Sequence, residues 1–342
     1  MWPIAVIGFN RPQYLEQTLT SLANQKRRID GVVEELAVDR IALFQDGAVN
    51  KKSGERYADD TEIAENVAVF RRIFPRGEVF ESPANISIAA NIDRAERWVF
   101  DTLKSDAGIF FEDDLVGNKY YLQSLCGMLE LALADKRIAY VSCYGEHRLC
   151  LRLQERTPTK YIPLVHHWGF GITRRQYLLS KPYVDDYLDL IKDNDYLRPD
   201  LRAIFKMLEK WGMGPLLPAQ DIIRGAICCK VGSLRLNTTA CLGKYIGADG
   251  THHTPRQYDR MRYGKTEVYP RPITEFPALT DAQFQDFTAR QDKWLRNDLT
   301  WHARQWMIGV GLAEKNWPNF EVEFDRALGV VSNIDPQGRR RI

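Results

Sequence analysis

A chain of 342 residues, 44% hydrophobic and 27% charged, is long enough to bury one large core with a smaller appended lobe, and too apolar to remain disordered. Its 47 basic and 45 acidic residues leave a net charge of +2, which excludes the strongly basic stripe of a dedicated nucleic-acid binder. The six cysteines (Cys126, Cys143, Cys150, Cys228, Cys229 and Cys241) hold no C-x-x-C pair, so free thiols in a reducing compartment are expected rather than a zinc knuckle or a disulfide framework.

The first apolar run, Ile4 to Gly8, predicts a strand. No basic n-region or apolar stretch of signal length stands before it, and no run reaches the roughly 18 to 20 apolar residues that span a bilayer. A cytoplasmic protein is therefore expected, with peripheral contact to the inner membrane left open. Further strands are predicted at Ile41 to Phe44, Glu78 to Glu81, Ile109 to Phe111 and Ala139 to Ser142. Between them, Gln13 to Ala23, Asp60 to Phe74, Ile88 to Leu103 and Tyr120 to Ala134 carry apolar residues at the three-and-four spacing of amphipathic helices. This alternation predicts a doubly wound, mostly parallel sheet flanked by helices.

In such sheets ligands bind beyond the carboxyl ends of the strands. The loops there are Asn10-Arg11, Gln45-Asp46-Gly47, Ser82 to Asn85 and Glu112 to Asp114, each polar after an apolar strand. The second half is less regular. Tyr161 to Thr173 reads as extended chain, and Arg174 to Leu179, Pro199 to Trp211 and Gln220 to Cys229 as helices. A glycine-bearing loop, Leu242 to Gly250, continues through His252-His253 and can close over a substrate. Thr280 to Leu328 reads as mostly helical, with Trp294, Trp301, Trp306 and Trp317; this stretch and the Arg339-Arg340-Arg341 tail can lean on an anionic membrane or simply form a packed bundle with a frayed end.

The run Ile109-Phe110-Phe111-Glu112-Asp113-Asp114-Leu115 places three acids at a strand's end. Mn²⁺ and Mg²⁺ prefer carboxylate oxygens and are often held partly through substrate phosphates, so such a loop suits a metal–diphosphate complex. A solvated turn, with Asp114 or Asn118 capping the next helix, fits the same residues. Asp46 can accept the N3 proton of uracil, which cytosine lacks, and Arg11 can meet a phosphate or the base; a turn residue and a surface ion pair are the plainer alternatives. Gly8-Phe9-Asn10-Arg11-Pro12 is not the G-x-G-x-x-G of a dehydrogenase, and there is no P-loop.

Pro3-Ile4-Ala5-Val6-Ile7, Asn10-Arg11, Gln45-Asp46, Arg97-Trp98 and Glu112-Asp113-Asp114-Leu115 occur in an order and spacing that resembles N-acetylglucosaminyltransferase I and its relatives, glycosyltransferase family 13. The resemblance is strongest from Pro3 to about Ala134, thinner from Trp168 to about His253, and absent beyond. It implies a GT-A fold, Mn²⁺ or Mg²⁺, a UDP-sugar donor carrying N-acetylglucosamine or a related hexose, and inversion at the anomeric carbon. By it Asp114 becomes the metal ligand, Asp113 serves the ribose side beside Glu112, and Gly8, Asn10, Arg11 and Asp46 line the donor.

The same resemblance sets Pro218-Ala219-Gln220-Asp221-Ile222-Ile223-Arg224 against the segment that supplies the family's general base. Asp221 is then the base, with Arg224 one turn on to orient it, although the family's neighbouring tryptophan and one aspartate are missing. Trp168-Gly169-Phe170-Gly171 resembles the stretch lining the sugar and acceptor side, where aromatic faces and small glycines suit a sugar ring. Lys244, in a loop aligned with one that orders over the donor, is placed to meet the diphosphate. His252 and His253 can add a metal ligand or sit on the surface, and His166-His167 reads as structural.

These expectations divide the chain into a catalytic domain over 1–270, with a nucleotide-sugar half (1–145) and an acceptor half (146–270), and a helical extension over 271–342. The leading expectation is an inverting, metal-dependent transferase acting on a glycan or lipid-linked acceptor in bacterial surface polysaccharide or glycoconjugate assembly. A sugar nucleotidyltransferase is a poorer match, because Asn10-Arg11-Pro12 is not its glycine-rich opening loop. A non-catalytic carbohydrate- or nucleotide-binding protein is the rival from outside catalysis.

Overall fold

A computed structural model describes residues 1–195, 199–214, 216, 218–249 and 254–299. The first half runs β1 (Ile4–Gly8), α1 (Pro12–Ala23), β2 (Lys26–Ile29), β3 (Val32–Glu35), β4 (Ile41–Gln45), α2 (Asp60–Ile73), β5 (Glu78–Glu81), α3 (Ser87–Arg97), β6 (Ala107–Glu112), β7 (Leu115–Gly117), α4 (Tyr121–Ala134) and β8 (Ile138–Ser142). The second half runs α5 (Leu151–Gln154), β9 (Tyr161–Pro163), β10 (Gly169–Thr173), α6 (Arg174–Ile191), α7 (Leu201–Lys210), α8 (Gln220–Val231), β11 (Leu234–Thr238), β12 (Gly243–Tyr245), α9 (Pro255–Met261) and α10 (Asp281–Lys293).

Eight strands form one sheet in the order β5-β4-β1-β6-β10-β8-β11-β9. Strands β5, β4, β1 and β6 are mutually parallel, as are β8 and β11, while β10 is antiparallel to both β6 and β8. With helices on both faces, β1 and β4 are buried at every residue, which is why their sequences are unbroken apolar runs rather than alternating ones. The mostly parallel, helix-covered sheet is thus the one expected. Strand order reverses at β1, whose neighbours β4 and β6 lie on opposite sides, so the crevice falls beyond the carboxyl ends of β1 and β6.

Local chemistry accounts for the element boundaries. Proline opens α1, where its missing N–H costs no helix bond, and an Asp59–Glu62 capping box opens α2. Helix α6 runs on past Pro182, where a helix was expected to stop at Leu179, because Val184 and Tyr187 continue the buried face begun by Tyr177. The β2–β3 hairpin went unread in the sequence: all of β3 is exposed, so no alternation marks it, although Asp30 and Gly31 take the positive φ angles of a two-residue turn.

One hydrophobic cluster surrounds the sheet, and a second joins α6, α7 and α8 through Tyr187, Ile204, Leu208, Trp211 and Ile227. Helix α10, in the stretch expected to be a carboxyl-terminal extension, is tied into the main body. Gln291 accepts from the Arg235 backbone N–H (3.1 Å) and donates to the Ser233 carbonyl (2.9 Å), and Arg137 pairs with Asp281 (2.7 Å). Trp301, Trp306, Trp317 and the basic tail lie outside the described residues. All six cysteines are unbonded, and no helix among the described residues is long and apolar enough to cross a membrane.

Candidate active site

A cleft of about 450 Å³ opens at the carboxyl edge of the sheet. Gly8, Asn10 and Arg11 reach it from β1, Asp46 from β4, and Glu112, Asp113 and Asp114 from the turn between β6 and β7. His166, His167 and Trp168 before β10, Asp221 at the start of α8, and Tyr245 from β12 line the same cleft.

The acidic turn is held by its backbone. The Glu112 N–H donates to the Trp168 carbonyl (2.7 Å), Thr18 Oγ1 donates to the Asp113 carbonyl (2.9 Å), and the Ile246 N–H donates to the Asp114 carbonyl (2.9 Å). The Arg11 guanidinium bridges Asp113 and Asp114, lying 2.8 Å from Asp114 Oδ2. Burial would lower the Arg11 pKa, but the two carboxylates outweigh it and keep the guanidinium charged. Glu112 is pushed well up, first by burial and then by Asp114, Asp221 and Asp113. Burial likewise lifts Asp114 to about 6 against the pull of Arg11.

Asp114 Oδ1 is buried and has no hydrogen-bond partner among the described residues, a costly arrangement unless a ligand meets it. Among the described residues, no three histidine, cysteine or acidic side chains converge as a closed metal cage. One available carboxylate beside an open cleft nonetheless fits a cation such as Mg²⁺ or Mn²⁺ that completes its shell with phosphate oxygens and water. Neither capping alternative holds: the N-cap of α4 is Tyr120, Asn118 Oδ1 accepts from the Tyr120 N–H (2.8 Å) ahead of the helix, and β7 separates Asp114 from it.

Asp46 is more occupied than its sequence position implies. Oδ1 accepts from the N–H groups of Gly47 and Ile86 (both 2.9 Å), and Oδ2 accepts from Ser87 N–H (3.1 Å) and Asn85 Nδ2 (3.2 Å). Its four acceptor positions are therefore spent joining the β4 loop to the start of α3. Gly47 permits this junction, since a Cβ there would lie 2.5 Å from the Ala84 carbonyl carbon. Asn10, Asn85 and Asn91 line the cleft around this already bound carboxylate.

Asp221 is the second residue of α8; the cap is Ala219, so the carboxylate does not serve as an N-cap. Its Oδ2 lies 3.4 Å from His166 Nδ1, and Oδ1 accepts from the Ile222 N–H (2.9 Å). Burial alone would raise its pKa, but His166, His167 and Arg235 outweigh burial and hold it at about 2.

Arg224 does not orient Asp221 as expected. It turns inward to Glu96 (2.6 Å) and the Tyr140 hydroxyl (3.2 Å), both pairs buried. Trp168 is sandwiched between His166 (ring centroids 4.4 Å) and Tyr245 (4.1 Å), each stacked within 14°. Gly169, expected to face a sugar, faces the core instead, where a Cβ would collide with Leu115 and come within 3.0 Å of the Tyr121 hydroxyl. Lys244 is displaced by strand alternation: Tyr245 points into the cleft, and Lys244 Nζ donates to the Gly264 carbonyl (2.9 Å). His252 and His253 lie outside the described residues. Tyr245 and the His166 partnership went unread, because stacking across a fold and a pairing over 55 positions leave no local signal.

No family model and no curated protein matches the chain, so the likeness to family 13 rests on the quoted residues alone. Among solved structures, S. aureus TarS 1-349 overlaps at a TM-score of 0.44 and 11% identity, over 98% of this chain and 81% of that one. A second structure of S. aureus TarS gives 0.43 and 10%, over 96% and 48%. The glycosyltransferase GlyE in Streptococcus pneumoniae TIGR4 gives 0.30 and 13%, over 55% and 38%.

Proposed function

We propose that this chain is an inverting glycosyltransferase that takes a sugar from a UDP-linked donor and passes it to a hydroxyl of a glycan or lipid-linked acceptor. The observation that carries the reading is that one cleft holds two chemistries. Asp114, with a buried oxygen that has no partner among the described residues, and the Arg11 cation line it, and so do Asp221 and His166. An inverting displacement needs both, charge stabilisation where the diphosphate leaves and a proton acceptor for the attacking hydroxyl.

Asp114 would hold a divalent cation, Mn²⁺ or Mg²⁺, and that ion would supply neutralisation of the charge developing on the leaving UDP. Asp113 and Arg11 hold one another beside it, and Arg11 lines the cleft as a cation for phosphate oxygens. The base and ribose occupy the Asn10, Asn85 and Asn91 corner, with Asp46 holding that corner in shape. The sugar is N-acetylglucosamine or a related hexose, and the Trp168 ring, covered on both faces by His166 and Tyr245, braces the wall beside it rather than stacking on it. An acceptor of bacterial surface polysaccharide or glycoconjugate assembly, used in the cytoplasm or at the inner face of a membrane, completes the proposal.

Titration calorimetry with UDP, with and without Mn²⁺, tests this reading. Mn²⁺ is expected to tighten UDP at least about tenfold, and Asp114→Asn to remove that gain while the protein stays folded. Metal-dependent binding that survives in Asp114→Asn sinks the metal assignment; no UDP binding under any condition sinks the donor reading.

A further inference from the structure

The acceptor side of the cleft holds a histidine that the sequence left as structural. His166 is 32% exposed at the side chain, and its ring lies flat on Trp168 with centroids 4.4 Å apart. Its backbone N–H donates to the Tyr144 hydroxyl (3.0 Å), so stacking and backbone together fix the ring's direction. Nδ1 faces Asp221 Oδ2 at 3.4 Å. The two imidazole nitrogens lie on different edges of the ring, so a carboxylate at Nδ1 selects the tautomer with the proton there and leaves Nε2 as an acceptor. Asp221 is held by two partners, Oδ1 accepting from the Ile222 N–H and Oδ2 facing the imidazole.

Resting on the glycosyl-transfer reading above, we propose that His166 Nε2 takes the acceptor's proton and that Asp221 is its positioning carboxylate. The acceptor O–H proton moves to Nε2, and the oxygen lone pair forms the new bond to the anomeric carbon. The bond from that carbon to the diphosphate oxygen breaks, its electron pair leaving on UDP. The imidazolium is balanced by Asp221 until the proton passes to solvent. A carboxylate held ionised at about 2, where burial is overcome by its neighbours, is a weak base near neutral pH.

The charged and titratable groups around His166 are Asp221 from α8, the adjoining His167, His147 and Tyr144 from the segment after β8, and Arg235 from β11 acting on Asp221. Burial, then Arg235, drives His167 well below the ordinary histidine range, so it stays neutral and does not compete for the proton.

Two measurements on the full chain test the assignment. Imidazole ¹⁵N NMR is expected to show neutral His166 with its proton on Nδ1, and Asp221→Asn to erode that preference; a native proton on Nε2 overturns the proposal. UDP release with Mn²⁺ is then followed from UDP-N-acetylglucosamine, UDP-glucose and UDP-galactose, with water as acceptor. His166→Gln is expected to lose at least about 100-fold in kcat while UDP affinity is kept. If His166→Gln keeps more than about a tenth of the rate and Asp221→Asn keeps none, Asp221 is the base and the proposal fails. A native protein that binds UDP and cleaves none of the three donors fails the transferase reading, a result separate from the tautomer measurement.

Discussion

Asp46 shows how much a single carboxylate's role depends on neighbours the sequence does not display. Four donors converge on it, yet burial still lifts it to about 6. The sign of the consequence follows from linkage. Because the folded value lies above the ordinary one, the folded state binds more protons between about pH 4 and 6, and the group's contribution to stability is lost as pH rises through that window. Asp46→Asn has no such titration and sets an amide NH₂ against two N–H donors. Urea unfolding is therefore expected to show the native advantage over Asp46→Asn shrinking by about 2 kcal/mol from pH 4.5 to 7. The sequence singled out Asp46 correctly as a residue of this edge, but its saturation by Ile86, Ser87 and Asn85 depends on a loop about 40 positions away.

At the scale of elements, α8 is the piece that brings Asp221 to the cleft, and it is clamped from two directions. Arg224 fastens it to α3 through Glu96, with both side chains almost wholly buried. Arg235, 1% exposed, packs its guanidinium 2.7 Å from where a Gly225 Cβ would lie, donates to the Asp221 carbonyl (3.3 Å), and sits 5.5 Å from the Trp294 ring. Removing one partner of a buried pair leaves an uncompensated charge, so Arg224→Leu is expected to cost about 3 to 5 kcal/mol in chemical unfolding. Replacing Glu96 by Leu as well should recover much of that loss. No recovery in the double variant would mean that Arg224 acts by packing rather than by pairing. Strands β1 and β5 were legible to the residue and the first-half helices to within a few positions, because each carries its own apolar period. Strand β10 was legible only as extended chain, since its antiparallel insertion between β6 and β8 is a property of the sheet.

For the whole molecule, the cleft exists only because two distant parts of the chain meet. Strand β12 pairs with β7, setting Lys244 opposite Val116 and Tyr245 opposite Leu115, and this carries the following loop onto the acidic turn. Gly247 makes the contact possible: a Cβ there would collide with the Tyr245 hydroxyl and lie 2.5 Å from Asp114 Oδ2. Gly247→Val is expected to weaken Mn²⁺-dependent UDP binding at least about tenfold, with a melting shift of only a few degrees because the sheet is untouched. Unchanged UDP affinity in that variant would separate the loop from the donor site.

The sequence by itself determined the sheet's parallel half, the edge at which the cleft opens, and the acidic turn at that edge. Apolar periodicity and a polar loop after an apolar strand are local properties, visible without a fold. Tertiary structure alone decided which polar groups are free and which are spent. It turned Arg224 and Lys244 away from the cleft, filled the acceptor positions of Asp46, left Asp114 Oδ1 without a partner among the described residues, and brought His166 to Asp221. Hydrogen-bond satisfaction and desolvation depend on contacts between residues far apart in the chain, which no local pattern encodes.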